Sequence, residues 1–160
     1  MRGMLVRHYG VVGAHYFSSR YLVGVIMSDN LGFEAIPIGL ELGPLELILD
    51  DIFVNERLTH IQWEDGTLVS QQCIVPPGAT IFQHAVMKFK AIPEMKVSIW
   101  AKSEHEFLKP MMVGSTVVIR GRVIDKYVKR GRNYMVTECE TVDESGQVLM
   151  KSRETAVYVE

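Results

Sequence analysis

A chain of 160 residues, 48% apolar and 22% charged, is long enough for one domain to close its own core and too apolar to be disordered. Its net charge of −2 supplies no field to draw in a polyanion, which argues against nucleic acid or an anionic membrane surface as partner. Cys73 and Cys139 stand in no CxxC or Cys/His ligand spacing, so the sequence predicts two small buried hydrophobes and no metal site.

At the N-terminus, Arg2 and Arg7 are followed by no apolar run suited to a signal peptide or a bilayer span, which predicts a cytoplasmic protein. Phe17 to Asp29 reads either as a helix capped by Ser18 or Ser19 or as an apolar strand. Leu45 to Val54 reads as a strand or a short helix. Residues 1–50 form an N-terminal extension or the first part of a single domain spanning 1–160. No internal repeat or low-complexity linker interrupts it.

After Pro76-Pro77-Gly78, the residues Ile81, Phe82, Ala85, Val86 and Phe89 recur with helical spacing and predict an apolar helix over 78–91. Two prolines can open a helix but not continue one, and Pro93 closes it. Lys88 and Lys90 suit its C-terminal dipole. Lys96 to Phe107 reads as a strand with Val97, Ile99 and Ala101 on one face. Val117, Ile119, Gly121 and Val123 then alternate with Val118, Arg120, Arg122 and Ile124, a strand with one face covered and the other mixed. Lys129-Arg130-Gly131-Arg132 places a glycine where a hairpin needs positive φ. Strands follow over 133–142 and 147–159, separated by the turn Asp143-Glu144-Ser145-Gly146. A mostly apolar helix ahead of long antiparallel strands predicts an α+β domain whose bent sheet wraps around that helix.

Residues 55–160 resemble the MaoC-like acyl dehydratases and enoyl-CoA hydratases of the hot-dog fold. Their hallmark, Asp-x-Asn-Pro-x-His-x-Asp, precedes by a fixed interval the glycine that opens the central helix, and His60 and Gly78 keep that separation. Val75-Pro76-Pro77-Gly78-Ala79 is similar to the family's Ala-Pro-Pro-Thr-Phe variant. Phe107-Leu108-Lys109-Pro110 through Gly114-Ser115 is similar to its Arg-Phe-x-x-Pro-Val-x-x-Gly-Asp segment. The chain departs where the family has its aspartates, carrying Asn55 before the histidine and Gln62 after it. An amide is no general base near neutral pH. A shifted alignment recruits Asp50, Asp51, Glu56, Glu64 or Asp65 instead.

The resemblance implies a hydratase or dehydratase of acyl thioesters, carried on coenzyme A or acyl carrier protein. It implies no cofactor or metal, and a homodimer or higher assembly. Its candidate catalytic residues are His60 and, as a substituted partner orienting water or substrate, Asn55. Gly78, Ala79 and Thr80, at the expected helix N-terminus, are candidates for holding the thioester oxygen as charge develops there. Arg130 and Arg132, with Lys126 and Lys129, form a basic hairpin suited to nucleotide phosphates. Gln83 and His84 read as a polar helix face with a tunnel-facing role as the alternative, and His105 as part of a solvated strand edge. Two other classes stay open: a hot-dog thioesterase, and a non-catalytic acyl-binding subunit, for which the lost aspartates speak.

Overall fold

The computed structural model describes residues 32–62 and 67–159. The segment Phe17 to Asp29, and Glu64 and Asp65, lie outside them. A short 3-10 turn at Phe33–Ala35 leads into β1 (Glu41–Ile48), α1 (Asp51–His60), α2 (Thr67–Gln72), α3 (Phe82–Ala91), β2 (Val97–Phe107), β3 (Thr116–Lys129), β4 (Arg132–Asp143) and β5 (Val148–Val159). The strands make one antiparallel five-stranded sheet in the order β1-β3-β4-β5-β2. The ambiguous stretch from Leu45 is therefore both elements in turn: a strand to Ile48, then a helix whose first turn Asp50 caps by accepting the Phe53 N–H at 2.8 Å.

The last three strands follow the alternation in the sequence. Val117, Ile119 and Val123 are buried beneath the sheet, while Arg120 and Arg122 reach across to Glu140 and Glu138 on its outer face at 3.2 and 3.5 Å. Such exposed pairs set register more than stability. The β3–β4 hairpin turns at Arg130 and Gly131, with φ of 52° and 70°, a conformation that favours glycine at the second position. Asp143 closes the β4–β5 turn, its Oδ1 accepting the N–H groups of Ser145 and Gln147.

The core falls into two clusters. Leu42, Leu45, Leu49, Val54, Met87, Ile119 and Leu149 belong to one, and Phe33, Ile36, Ile92, Met95, Met135 and Tyr158 to the other. Between them, in one register row, Thr137 of β4 pairs with Glu154 of β5. This polar row lies beneath α3 and corrects two expectations. The helix begins at Phe82 rather than Gly78, because residues 77–80 close as turns instead. The face that α3 buries also matches the apolar spacing only in part: Val86 is buried as expected, and Ile81 and Ala85 are half-buried. Gln83, His84, Val86, Met87 and Lys88 are buried, whereas Phe82 and Phe89 are exposed. The helix is rotated so that its charged positions meet the carboxylate on the sheet. Cys139 is buried as expected; Cys73 is exposed, which corrects that half of the cysteine reading.

Candidate functional site

On β5, residues of even number face inward: Ser152, Glu154, Ala156 and Tyr158 are buried, and Lys151 and Arg153 are exposed. Glu154 is thus a carboxylate aimed into the core, 1% exposed. Facing it on α3 are His84 and Lys88, one helical turn apart and both 0% exposed. His84 Nδ1 lies 2.7 Å from Glu154 Oε1 and Lys88 Nζ 2.9 Å from Oε2. Trp100 of β2 donates its indole N–H to Oε2 at 3.2 Å, and its ring also faces the Lys88 ammonium, 5.9 Å from the ring centre. The register slip between Trp100 and Lys102 interrupts the pairing of β2 with β5 beside this contact, and the pairing resumes at Lys102.

Burial alone would push the Glu154 carboxyl up. The His84 hydrogen bond, the Lys88 charge, and further contributions from both residues outweigh burial and bring it down to about 2. Glu154 is therefore an ionised, acceptor-only group near neutral pH. The proton in the His84–Glu154 bond then resides on Nδ1, so the neutral form of the ring would present its lone pair at Nε2. That nitrogen is buried and has no hydrogen-bond partner among the described residues, as is true of Gln83 Oε1, Thr137 Oγ1 and Thr141 Oγ1. Buried polar atoms in native proteins are nearly always satisfied, so this seam of open donors and acceptors is suited to a polar ligand.

His105 belongs beside this cluster, not on a solvated edge. It is half-buried, its Nδ1 lies 2.9 Å from the Ser152 hydroxyl, and its ring centre is 6.5 Å from that of His84. Burial lowers its pKa, the Glu154 charge raises it, and the His84 ring lowers it, with a net shift downward.

The residues singled out by resemblance are placed apart. Asn55 and His60 are exposed on α1, and a spacing of five residues sets them about 140° apart around a helix. His60 Nδ1 bonds the Glu56 carbonyl of its own helix at 2.6 Å, and the Asn55 carbonyl accepts the Thr59 hydroxyl at 2.8 Å. Gly78, Ala79 and Thr80 lie in the turn before α3. The Ala79 N–H is bonded to the Pro76 carbonyl at 3.1 Å, and Thr80 is buried. Arg130 and Arg132 are exposed at the hairpin tip. Lys126 leaves that basic group, because its ammonium binds the Phe33 and Glu34 carbonyls at 2.9 and 2.6 Å.

Sequence reasoning missed Glu154, Lys88, Trp100 and Ser152. The available signal was one acidic residue in the inward row of β5, together with a His and a Lys four residues apart on the helix covering it. Among the described residues, no group of three His, Cys, Asp or Glu is placed to hold a metal ion, and no helix is long and apolar enough to cross a membrane.

No protein-family model and no curated protein matches the chain. Solved structures do. The HadBC (3R-hydroxyacyl-ACP dehydratase) complex of Mycobacterium tuberculosis is similar at 14% identity and a TM-score of 0.65, over 75% of this chain and 96% of that one. An (R)-hydratase from A. caviae involved in PHA biosynthesis is similar at 12% identity and a TM-score of 0.65, over 77% and 97%. A MaoC-like dehydratase from Rhodospirillum rubrum is similar at 11% identity and a TM-score of 0.60, over 81% and 98%. At such identities the likeness establishes the fold alone: the chain is a hot-dog domain.

Proposed function

We propose that the chain is an acyl-thioester hydratase or dehydratase, with His84 and Glu154 as its acid–base dyad. The observation that carries this reading is the unpartnered, buried Nε2 of a histidine whose other nitrogen is held by an ionised carboxylate. The fold supports it, since solved structures of the same fold bear the names of hydratases and dehydratases. In hydration, Nε2 takes a proton from water as the water oxygen bonds to the β-carbon. The C=C electrons move toward the thioester oxygen, and the imidazolium then returns a proton to the α-carbon. Dehydration runs the same steps backward. Glu154 keeps Nδ1–H oriented and stabilises the imidazolium, while Lys88 and Trp100 hold Glu154 in place.

The thioester oxygen is assigned to the turn before α3, where Gly78 and Thr80 have the amides not engaged as Ala79 is. Arg130 and Arg132 suit the phosphates of coenzyme A or of a carrier-protein prosthetic group. The edge strand β2 exposes Val97, Ile99, Trp100 and Phe107, a surface suited to a second copy of the chain. This reading gives the chemistry to His84 and Glu154 rather than His60 and Asn55, because the latter two are exposed and face different ways.

The test incubates purified protein with enoyl- and saturated acyl-CoAs, following double-bond loss and free thiol together. Expected is double-bond loss without thiol, reduced about 10²–10⁴-fold by His84→Gln, strongly reduced by Glu154→Gln and retained in His60→Ala. Activity lost only in His60→Ala would move the site to α1, and thiol release would make the chain a thioesterase. The complete enclosure of His84 favours a second reading, a non-catalytic acyl-binding subunit, which acyl-CoA binding without turnover would support.

A further inference from the structure

We infer that His84 and His105 work as a coupled pair that takes up at most one proton, each ring opposing the charging of the other. The inference rests on the dyad proposed above and adds a second imidazole to it. The ring centres are 6.5 Å apart, too far for a direct bond of ~3 Å but within reach of one bridging water. The Ser152 hydroxyl, 2.9 Å from Nδ1, fixes the direction of the His105 ring.

The charges around the pair limit it to one proton. From α3 it meets the Lys88 ammonium, and from β5 the Glu154 carboxylate, which Lys88 already matches charge for charge. From β4 the neighbour in the register row of Ser152 and His105 is the Cys139 thiol, which burial first, and then the Glu154 charge, push up to about 12 against the Lys88 charge. It therefore stays neutral. Glu104 and Glu106 flank His105 on β2 but point to the opposite, exposed face. One imidazolium leaves the cluster with a single positive charge; a second would repel the first across a partly desolvated gap. The downward shift of His105 includes a contribution from His84, in the sense this coupling requires.

The consequence bears on catalysis. Adding or removing water across a double bond needs a base and an acid, and their roles exchange with the direction of reaction. A pair limited to one proton always keeps one ring neutral, whatever the state of the other. Here His105 is a positioning residue, acting on the substrate through His84.

The test is an NMR titration of the imidazole ring protons in the full chain, for wild type, His105→Gln and His84→Gln. Glutamine keeps a partner for Ser152 but carries no charge. With the rings 6.5 Å apart, loss of the charged neighbour should raise the midpoint of whichever ring charges second by about 0.5–2 pH units, the span between watery and protein-like dielectric. The ring that charges first does so beside a neutral neighbour and keeps its midpoint, so the two folded variants together decide the matter. Where His84 is the ring that charges second, the acid-side limb of the kcat profile of His105→Gln in hydration should move up by the same amount. Unchanged midpoints in both folded variants would overturn the pairing while leaving the dyad standing. A shift in midpoint without turnover in wild type would uphold the pairing and remove the hydratase reading.

Discussion

Replacing Lys88 with methionine tests whether the cluster beneath α3 is ionised. Methionine keeps the length and packing of the lysine stem but removes the ammonium 2.9 Å from Glu154 Oε2. The carboxylate, 1% exposed, would then be left with only the His84 and Trp100 donors. Breaking one side of a buried ion pair costs about 3–5 kcal/mol, because the remaining charge stays desolvated. Against a typical total of about 5–15 kcal/mol, that is a large share. The double variant Lys88→Met/Glu154→Gln removes both charges, and its cost should stay within about 1–2 kcal/mol of wild type. The single variant should therefore be the less stable of the two. Urea unfolding at pH 7, with each variant's midpoint multiplied by its slope, measures both quantities. Lowering the pH adds a check. Without Lys88, burial acts on Glu154 with less opposition, its carboxyl protonates at a higher pH, and the deficit should narrow as pH falls below the ordinary carboxylate range. A single variant within about 1 kcal/mol of wild type at pH 7, or a double variant costing the sum of the two singles, would refute the ionised cluster.

Three further outcomes follow from the same geometry. Glu154 has its folded pKa depressed to about 2 from 4.5, so its stabilising contribution is present above pH 4.5 and is lost as pH falls toward 2. Acid unfolding curves should show that loss in wild type and less of it in Glu154→Gln. Cys139 is buried with its thiol pushed up to about 12, and Cys73 is exposed, so a thiol reagent at pH 8 should modify one cysteine in the native protein and the second only on unfolding. Gly121 lies under Cys139, where an added Cβ would come within 2.7 Å of the Cys139 sulfur and 2.8 Å of the Glu138 carbonyl oxygen. The carbonyl is fixed in the sheet, so Gly121→Ala should cost about 1–3 kcal/mol by thermal denaturation, and Cys139→Ala should recover only part of it.

The fold was legible in the sequence wherever one physical rule acted alone. Alternation located β3, β4 and β5, because a strand with one buried face repeats every second residue whatever it packs against. The Arg130-Gly131 and Asp143 turns were marked by residues chosen for backbone conformation, which tertiary contacts do not override. On α3 two rules competed. The spacing of Ile81, Phe82, Ala85, Val86 and Phe89 marked an apolar face, yet the structure buries Val86 of that set together with His84 and Lys88 and leaves Phe82 and Phe89 outside. What turns the helix is Glu154, 66 residues beyond Lys88 in the chain, and no helical period contains that partner. An inward carboxylate on β5 and a His–Lys pair on α3 each look anomalous in isolation, and each accounts for the other once the fold brings them together. The apolar face that remains outside then takes on a different meaning. Phe82 and Phe89 are core-like residues left exposed because the core position they imply is already filled by charge. With Ile99 and Trp100 on β2 also exposed, the surface around the cluster is more apolar than a lone domain requires. A second copy docked there would enclose the His84 region further and deepen its desolvation, which strengthens the attraction between Glu154 and the Lys88 ammonium. Charging the β2 edge by Ile99→Lys should therefore weaken self-association in sedimentation velocity. Retention of the wild-type sedimentation coefficient in that variant would exclude the β2 edge as the contact.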